Sequence, residues 1–453
     1  MTASIPLLAH DDLDTVFAWR DGRAVPVREF LADVERVAAA MPPSRHVLNA
    51  CTDRYHVAVG FAAAVLSGKV NLLPSTRTAD TVRHLLASAP DLFCLVDGAC
   101  ELDLPQMAYP PSGGSVDAAS AARMPSIPPD QQVARVFTSG STGAPIPHDK
   151  TWGSLVHCIR CGQRRLALPP GTTLVGTVPA QHMYGFESTL LMAFHGGVAL
   201  SAGHPFYPAD IAAELARVPA PRLLVSTPVH LRALLAADVG VPPLQLVLCA
   251  TAPLPAELAH AVESRLGAPL VEIYGSTETG QIATRRTART DSFSLFDELE
   301  LVPVGDGVAM ASGGHLLAPT PIHDVIEKIS HTDFLLHGRS ADMVNVAGKR
   351  SSIAHLNHQL CAVPGVLDGA FFAPDAAATE TVPRLMAFAV APGLSAATLR
   401  RALRERIDPA FMPRPLVLLD ALPRNATGKL PRAALAALAA DYVDTTEVER
   451  DER

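Results

Sequence analysis

Phe137-Thr138-Ser139-Gly140-Ser141-Thr142-Gly143 is the stretch whose reading decides the fold. The run Val133 to Phe137 before it is apolar and β-prone, and a helical pattern begins near Thr151. Glycines in such a loop let the backbone curl until successive N–H groups face inward. The hydroxyls add further donors, so the pocket suits phosphate oxygens. No Gly-Lys-Ser/Thr follows, so this is not the P-loop of nucleotide triphosphatases. A flexible surface turn can have the same composition, and the loop alone leaves both readings open.

The surrounding chain alternates strand and helix signals. Leu223-Leu224-Val225 ends at Ser226-Thr227-Pro228, and a helical pattern follows to about Ala237. Leu246-Val247-Leu248 predicts the next strand, Pro255 to Leu266 a helix, and Leu270-Val271-Glu272-Ile273-Tyr274 a third strand. Strands separated by helices of this length form βαβ units, so the fold class is α/β with a parallel sheet. From Thr287 to His337 the texture changes to short alternating segments with Gly305, Gly307, Gly313 and Gly314, which predicts a small antiparallel β subdomain. After Arg339, the polar Ser340-Ala341-Asp342 precedes a compact α+β stretch to about residue 440. A domain boundary is placed there, and the charged tail from Thr445 is expected to be disordered.

Two further segments carry chemistry. Tyr274-Gly275-Ser276-Thr277-Glu278-Thr279-Gly280 follows a strand, where parallel sheets build their sites. Glu278 could hold a Mg²⁺ that bridges phosphates, and Tyr274 could stack on a base. Near the C-terminus, Leu422 to Leu430 contains Gly428-Lys429, a loop lysine able to deliver a point charge to an oxyanion. Alone, the first reads equally as an ordinary βα loop and the second as surface.

Together these segments resemble the adenylate-forming superfamily of acyl-CoA synthetases, aryl-acid ligases, luciferases and peptide-synthetase adenylation domains. Thr138, Ser139, Gly140, Ser141, Thr142 and Gly143 match its phosphate loop. Pro179-Ala180-Gln181-His182-Met183-Tyr184-Gly185 looks like its acid-pocket motif, with the aromatic gate at His182. Tyr274, Gly275, Ser276, Thr277 and Glu278 match the adenine and magnesium motif. Asp324 precedes Arg339 by the spacing of the family's ribose-binding pair, Gly338-Arg339 opens the hinge motif, and Lys429 takes the place of the catalytic lysine. The motifs run in family order along the chain.

The resemblance implies a large N-terminal domain (1–338) of parallel-sheet α/β subdomains with a small β subdomain. A hinge (339–341) and a small mobile α+β C-terminal domain (342–453) follow. It implies an ATP-dependent ligase with ATP and Mg²⁺ as cofactors. A carboxylate is a poor acyl donor because its leaving group would be oxide, and adenylation replaces that with a good one. Glu278 would carry the Mg²⁺, and Ser139, Ser141, Thr142 and Lys429 would stabilise the in-line α-phosphate transition state. Asp324 and Arg339 would hold the ribose and Tyr274 the adenine. A thiol then attacks, after the small domain rotates about Ala341 and removes Lys429. That thiol belongs to CoA or to an acyl carrier protein acting in trans, since no carrier segment is fused to the chain.

The departures from the family pattern are specific. Where its phosphate loop continues Pro-Lys-Gly, this chain has Pro145-Ile146-Pro147, and the nearest lysine is Lys150. Lys150 is expected to substitute from the next helical turn. The hinge position is Ala341, and Thr-Gly-Asp has become Ile322-His323-Asp324. The family's Gly-Gly-Ala is replaced by Ala250-Thr251-Ala252, after Cys249. His182, Cys249, Thr251 and Ala252 are therefore the candidate acid-contacting residues. The added β-carbons shorten the pocket, so a planar hydroxybenzoate is expected. The trimmed chain is similar to free-standing aryl ligases of bacterial pigment pathways, among them those that activate hydroxybenzoate for xanthomonadin. A short or medium-chain fatty acyl ligase and a catalytically silent nucleotide-binding homologue are the alternatives. An amino-acid-activating domain is disfavoured, because residues 179–186 contain no carboxylate to bind an α-ammonium.

Composition narrows the partners. The net charge of −8 argues against a protein living on nucleic acid or anionic lipid. The apolar run Val57 to Leu66 is far short of the ~20 residues of a membrane span. The first residues show no basic and apolar leader, and the seven cysteines are irregularly spaced, so a cytoplasmic setting is expected. Cys158-Ile159-Arg160-Cys161 lacks a second pair at zinc-site spacing and reads as part of a helix.

Overall fold

The computed structural model describes residues 3–74, 76–111, 123–139, 145–305, 308–339, 343–346, 349–374, 385–425 and 430–451. Two sheets position the site, the first mainly parallel and the second parallel at its centre with antiparallel strands at both ends. The first has six strands in the order Pro145–Thr151, Gln132–Ser139, Val70–Leu73, His46–Asn49, Phe93–Val96 and Gln106–Ala108. All its pairings are parallel except the outermost, Pro145–Thr151 against Gln132–Ser139. The second has eleven strands. Its centre is the parallel series Leu270–Ser276, Leu246–Cys249, Arg222–Ser226, Thr173–Gly176 and Ala199–Ser201. The strands expected at 223–225, 246–248 and 270–274 are three of these, and helices Pro228–Ala236 and Ala256–Leu266 separate them.

The β-rich region divides in two. Gly280–Arg285, Ser292–Leu295, Asp333–Arg339 and Asp324–Lys328 extend the large sheet antiparallel, and Leu299–Gly305, Val308–Gly313 and Thr320–Ile322 form a separate three-stranded sheet. From Met343 onward, among the described residues, strands pair only with one another: Met343–Val346 with Lys349–Ser352, and Asp368–Phe372, Met386–Val390 and Leu416–Leu418 in a three-stranded sheet.

Two expectations are corrected. The helix begins near Thr151 as expected, but the stretch before it is not loop, because Pro145–Thr151 returns as an edge strand. Pro145 and Pro147 hid it, since proline cannot donate to a ladder and is confined to edges. The helix starts at Trp152, where Thr151 accepts a hydrogen bond from the Ser154 N–H. Lys150 is therefore in a strand, not on a helical turn. The charged tail from Thr445 is helical in its first part, because helix Arg432–Asp451 includes it. Six alanines from Ala433 to Ala440 supply the propensity that propagates that helix.

The run Val57 to Leu66 forms helix Arg54–Leu66, started by Asp53, whose side chain accepts from the N–H groups of Tyr55 and His56. Being apolar all round, it is buried from Val57 through Val65 except at flanking positions, and packs in the core shared by both sheets. Its first residue, Arg54, is buried and donates to the carbonyls of Gly176 (2.8 Å), Val178 (2.9 Å) and Gly203 (3.3 Å) and to the Thr189 hydroxyl (3.0 Å). Burial pushes its guanidinium down to about 10, which still leaves it charged at neutral pH. One side chain of the first sheet's helix thus fastens the chain leaving strand Thr173–Gly176 of the second sheet.

Arg54→Met should destabilise the protein by about 3 kcal/mol, because it strands several buried acceptors at once. Arg54→Lys should recover little, since an ammonium cannot reproduce the planar fork. Denaturant melts of both variants check this, and a midpoint within error of the parent would refute the clamp.

Candidate active site

The loops that leave adjacent parallel strands at their carboxyl ends converge on one edge of the large sheet. Residues 177–182 follow Thr173–Gly176, Thr227 follows Arg222–Ser226, Thr251 follows Leu246–Cys249, and Glu278 follows Leu270–Ser276. The six-stranded sheet meets them with its antiparallel edge hairpin. Gly140, Ser141, Thr142 and Gly143 lie outside the described residues, as do Ala341 and Lys429. Ser139 ends strand Gln132–Ser139, opposite Pro145.

The hairpin brings together groups that are far apart in sequence. Thr138 Oγ1 lies 2.9 Å from His148 Nε2, and the same nitrogen is 3.8 Å from Glu278 Oε1. Burial holds the His148 imidazole below its ordinary value, and Glu278 pulls the other way. Lys150, two residues on, donates from Nζ to the Glu278 carbonyl at 2.8 Å. The Glu278 carboxylate itself keeps about a third of its exposure. A partly exposed carboxylate supplies the hard oxygen ligand that a Mg²⁺ takes, with phosphate and water completing its shell. The described residues contain no group of three or more His, Cys, Asp or Glu able to cage a metal.

The loop carrying Glu278 is held from several sides. Ser276 and Thr279 bond reciprocally, each hydroxyl accepting from the other's N–H at 3.0–3.1 Å. Thr279 O accepts from the buried His315, whose imidazole burial pushes down to about 4. Gly275 has no room for a side chain, because a Cβ there would come within 2.1 Å of the Gly280 carbonyl. Thr277 is half-buried in this loop.

Tyr274 does more than offer a face. Its hydroxyl donates to Asp324 Oδ2 at 2.6 Å, and its ring packs edge-on against Phe334 and tilted on Phe293. Asp324 and Arg339, fifteen residues apart, are directly opposed in the pairing of Asp324–Lys328 with Asp333–Arg339. The sequence spacing is thus a hairpin register, and Tyr274 joins the predicted adenine motif to the predicted ribose pair.

On the acid side, His182 caps the turn Met183–Gly185, which continues as the π-helical Phe186–Leu191. His182 lines an open cleft of about 350 Å³ together with Arg77, Gln181 and His204. Gly185 is required there, since a Cβ would lie 2.0 Å from the Pro179 carbonyl. Tyr184 donates to the Ser226 carbonyl at 3.2 Å, and its buried phenol, beside Cys249, is pushed well above its ordinary value. Cys249 is fully buried in the apolar core, and burial pushes its thiol well up. Ala252 and Thr251 follow in the loop. Thr251 has φ +83°, in the left-handed region where a β-branched residue is strained.

Sequence reasoning missed His148, Glu187 and Arg54. The alternation of strand Pro145–Thr151 could have revealed His148, because residues 146, 148 and 150 share one face. Cys158 and Cys161 are buried in helix Trp152–Leu166, with Cys158 Sγ 3.5 Å from Glu187 Oε1.

Comparison with known proteins agrees with this geometry. Residues 14–296 match the family model described as AMP-binding enzyme. A 4-coumarate–CoA ligase of Rhodobacter capsulatus is 31% identical over 299 residues, 64% of this chain and 73% of that protein. A medium/long-chain-fatty-acid–[acyl-carrier-protein] ligase of Mycobacterium tuberculosis is 25% identical over 389 residues, 72% of this chain and 70% of that protein. Among solved structures, o-succinylbenzoate CoA synthetase from Bacillus subtilis, in complex with its acyl-adenylate intermediate, superposes with a TM-score of 0.79 at 18% identity, covering 96% of this chain and 98% of that one. No helix among the described residues is long and apolar enough to cross a membrane. The chain belongs to the AMP-binding enzyme family of the adenylate-forming superfamily, and it is an acid–thiol ligase.

Proposed function

We propose that this ligase activates a hydroxybenzoate-type aryl acid with MgATP and passes the acyl group to the thiol of CoA or of an acyl carrier protein in trans. The observation that carries the acid class is Thr251. A threonine held at φ +83° keeps a β-branched, hydroxyl-bearing side chain where glycine would relax the backbone, just after strand Leu246–Cys249 and in the stretch that matches the family's acid-pocket glycines. Strain of this kind persists where the surroundings over-determine it, and it concentrates at ligand clamps. The names of the relatives support an aryl acid and leave a fatty acid as the second reading, because the matched proteins include a coumarate–CoA ligase and a fatty-acyl-carrier-protein ligase.

In this reading Tyr274, Asp324 and Arg339 orient the nucleoside. The phosphate-loop hydroxyls, with Ser141 and Thr142 by their match to the family motif, receive the phosphates. Glu278 would hold Mg²⁺, which when bound neutralises phosphate charge as the pyrophosphate departs. The acid's carboxylate enters beside His182, with Thr251 against its far end, so the two anions meet in line at the α-phosphorus. Lys429, by its match to the catalytic lysine, supplies positive charge to that oxygen cluster in the first half-reaction only. Residues 339–341 act as the hinge that then exchanges it for the thiol. A cytoplasmic setting, where CoA and carrier proteins are available, belongs to the same proposal.

Three outcomes follow from these roles. 3- or 4-Hydroxybenzoate should give the highest kcat/KM in a panel with benzoate, octanoate and dodecanoate, and a preference for dodecanoate over every benzoate would refute the aryl reading. Thr251→Gly should raise stability by about 0.5–1 kcal/mol through strain relief, net of glycine's backbone entropy. It should also cut the preference for hydroxybenzoate over benzoate by about tenfold if the Thr251 hydroxyl meets the ring hydroxyl; melts and steady-state kinetics check the two halves separately. Finally, Lys429→Ala should abolish adenylation yet largely spare thioester formation from supplied acyl adenylate, and equal loss in both half-reactions would contradict the domain exchange.

A further inference from the structure

We propose that Lys150 is a positioning residue: its buried ammonium sets the backbone of the Glu278 loop, and Glu187 is its counter-charge from the acid-motif helix. The proposal rests on reading Glu278 as the magnesium ligand. The family's loop lysine is absent, and the structure gives Lys150 a different task from the one its sequence position invites. It is only 7% exposed, lies in strand Pro145–Thr151 opposite Ala134, and spends a hydrogen bond on the Glu278 carbonyl. An ammonium so buried is not free to swing to a nucleotide. It holds the Glu278 backbone, while His148 on the same strand face approaches the Glu278 carboxylate at 3.8 Å.

Burying a lysine requires compensation, because desolvation of an ammonium costs several kcal/mol. Burial lowers its basicity, and the largest opposing influence is Glu187. Glu187 is 2% exposed on the π-helical Phe186–Leu191, a conformation enriched at functional sites. It accepts from the Cys158 thiol at 3.5 Å, and Gly280 is needed at its side, since a Cβ there would come within 2.6 Å of Glu187 Oε1. Gln281 donates to Ser188 Oγ at 3.0 Å. Lys150 thus holds the segment 278–281 at the Glu278 carbonyl, while Glu187 abuts Gly280 within it and Ser188 accepts from Gln281 at its far end. This bracket fixes the direction in which the Glu278 side chain leaves the backbone.

The test uses the full chain and calorimetric titration of MgATP without any acid, alongside steady-state kinetics. Lys150→Met should raise the Kd and the KM for MgATP about tenfold, the size of one lost hydrogen bond to a charged group, and change kcat less than threefold. AMP, bound without magnesium, should keep its affinity within twofold. Lys150→Met alone leaves Glu187 buried without its partner and lowers the melting temperature. The double variant Lys150→Met/Glu187→Gln removes both charges and should recover the melting temperature, while the Kd for MgATP stays raised. Recovery of both together would overturn the proposal, as would an unchanged Kd in Lys150→Met. Glu278→Ala separates the two layers. If it leaves MgATP affinity unchanged, the magnesium reading fails and the proposal with it; if it weakens MgATP while Lys150→Met does not, only the present proposal fails.

Discussion

The guanidinium of Arg54 is the interaction on which the arrangement of the site depends. It stands at the first turn of a helix that belongs to the six-stranded sheet, yet its donors are spent on carbonyls and a hydroxyl of the eleven-stranded one. Its acceptors at Gly176 and Val178 are the last residues before the acid motif, and Thr189 is on the helix after it. The position of His182 is therefore inherited from a charge buried in the other subdomain. A hydrophobic contact of equal area would hold the two sheets together but would not specify their relative register, because apolar burial is non-directional. The fork of an arginine specifies it.

The same division of labour recurs at the phosphate side. The edge hairpin of the first sheet supplies Thr138, His148 and Lys150, and the second sheet supplies Tyr274 and Glu278. Neither sheet holds the whole set. Their junction brings a hydroxyl, an imidazole and a carboxylate into succession, with a buried ammonium on the carbonyl of the same glutamate. Within the second sheet, the Tyr274–Asp324 hydrogen bond joins the β-rich extension to the parallel centre. The nucleotide side of the site is thus built from pairwise ties between elements that are distant in sequence.

Much of this was legible in the residues. Parallel strands were marked by apolar runs of four or five residues followed by turn chemistry, and the structure has them in place. The fifteen-residue interval between Asp324 and Arg339 proved to be a direct cross-strand pairing. Other features left no trace. Pro145 and Pro147 disguised an edge strand, and with it the shared face of His148 and Lys150. Arg54 looked like an ordinary residue at a helix start, because a buried arginine is recognised by its acceptors and those lie more than 120 residues away. The strain at Thr251 was also invisible, since a backbone angle is imposed by the fold; the only hint was a threonine where the family has glycine. The long-range polar ties were the unreadable part, and the local hydrophobic patterns the readable one.

On the proposed function, this site forms an acyl adenylate without a loop lysine. Single-turnover mixing of the protein with MgATP and 4-hydroxybenzoate in the absence of any thiol, followed by mass spectrometry, tests it most directly. The expected result is an aryl adenylate on the protein in near one-to-one amount with released pyrophosphate. Binding of ATP with neither product, for hydroxybenzoates and for a broad panel of carboxylic acids alike, would contradict it and leave a nucleotide-binding homologue in its place.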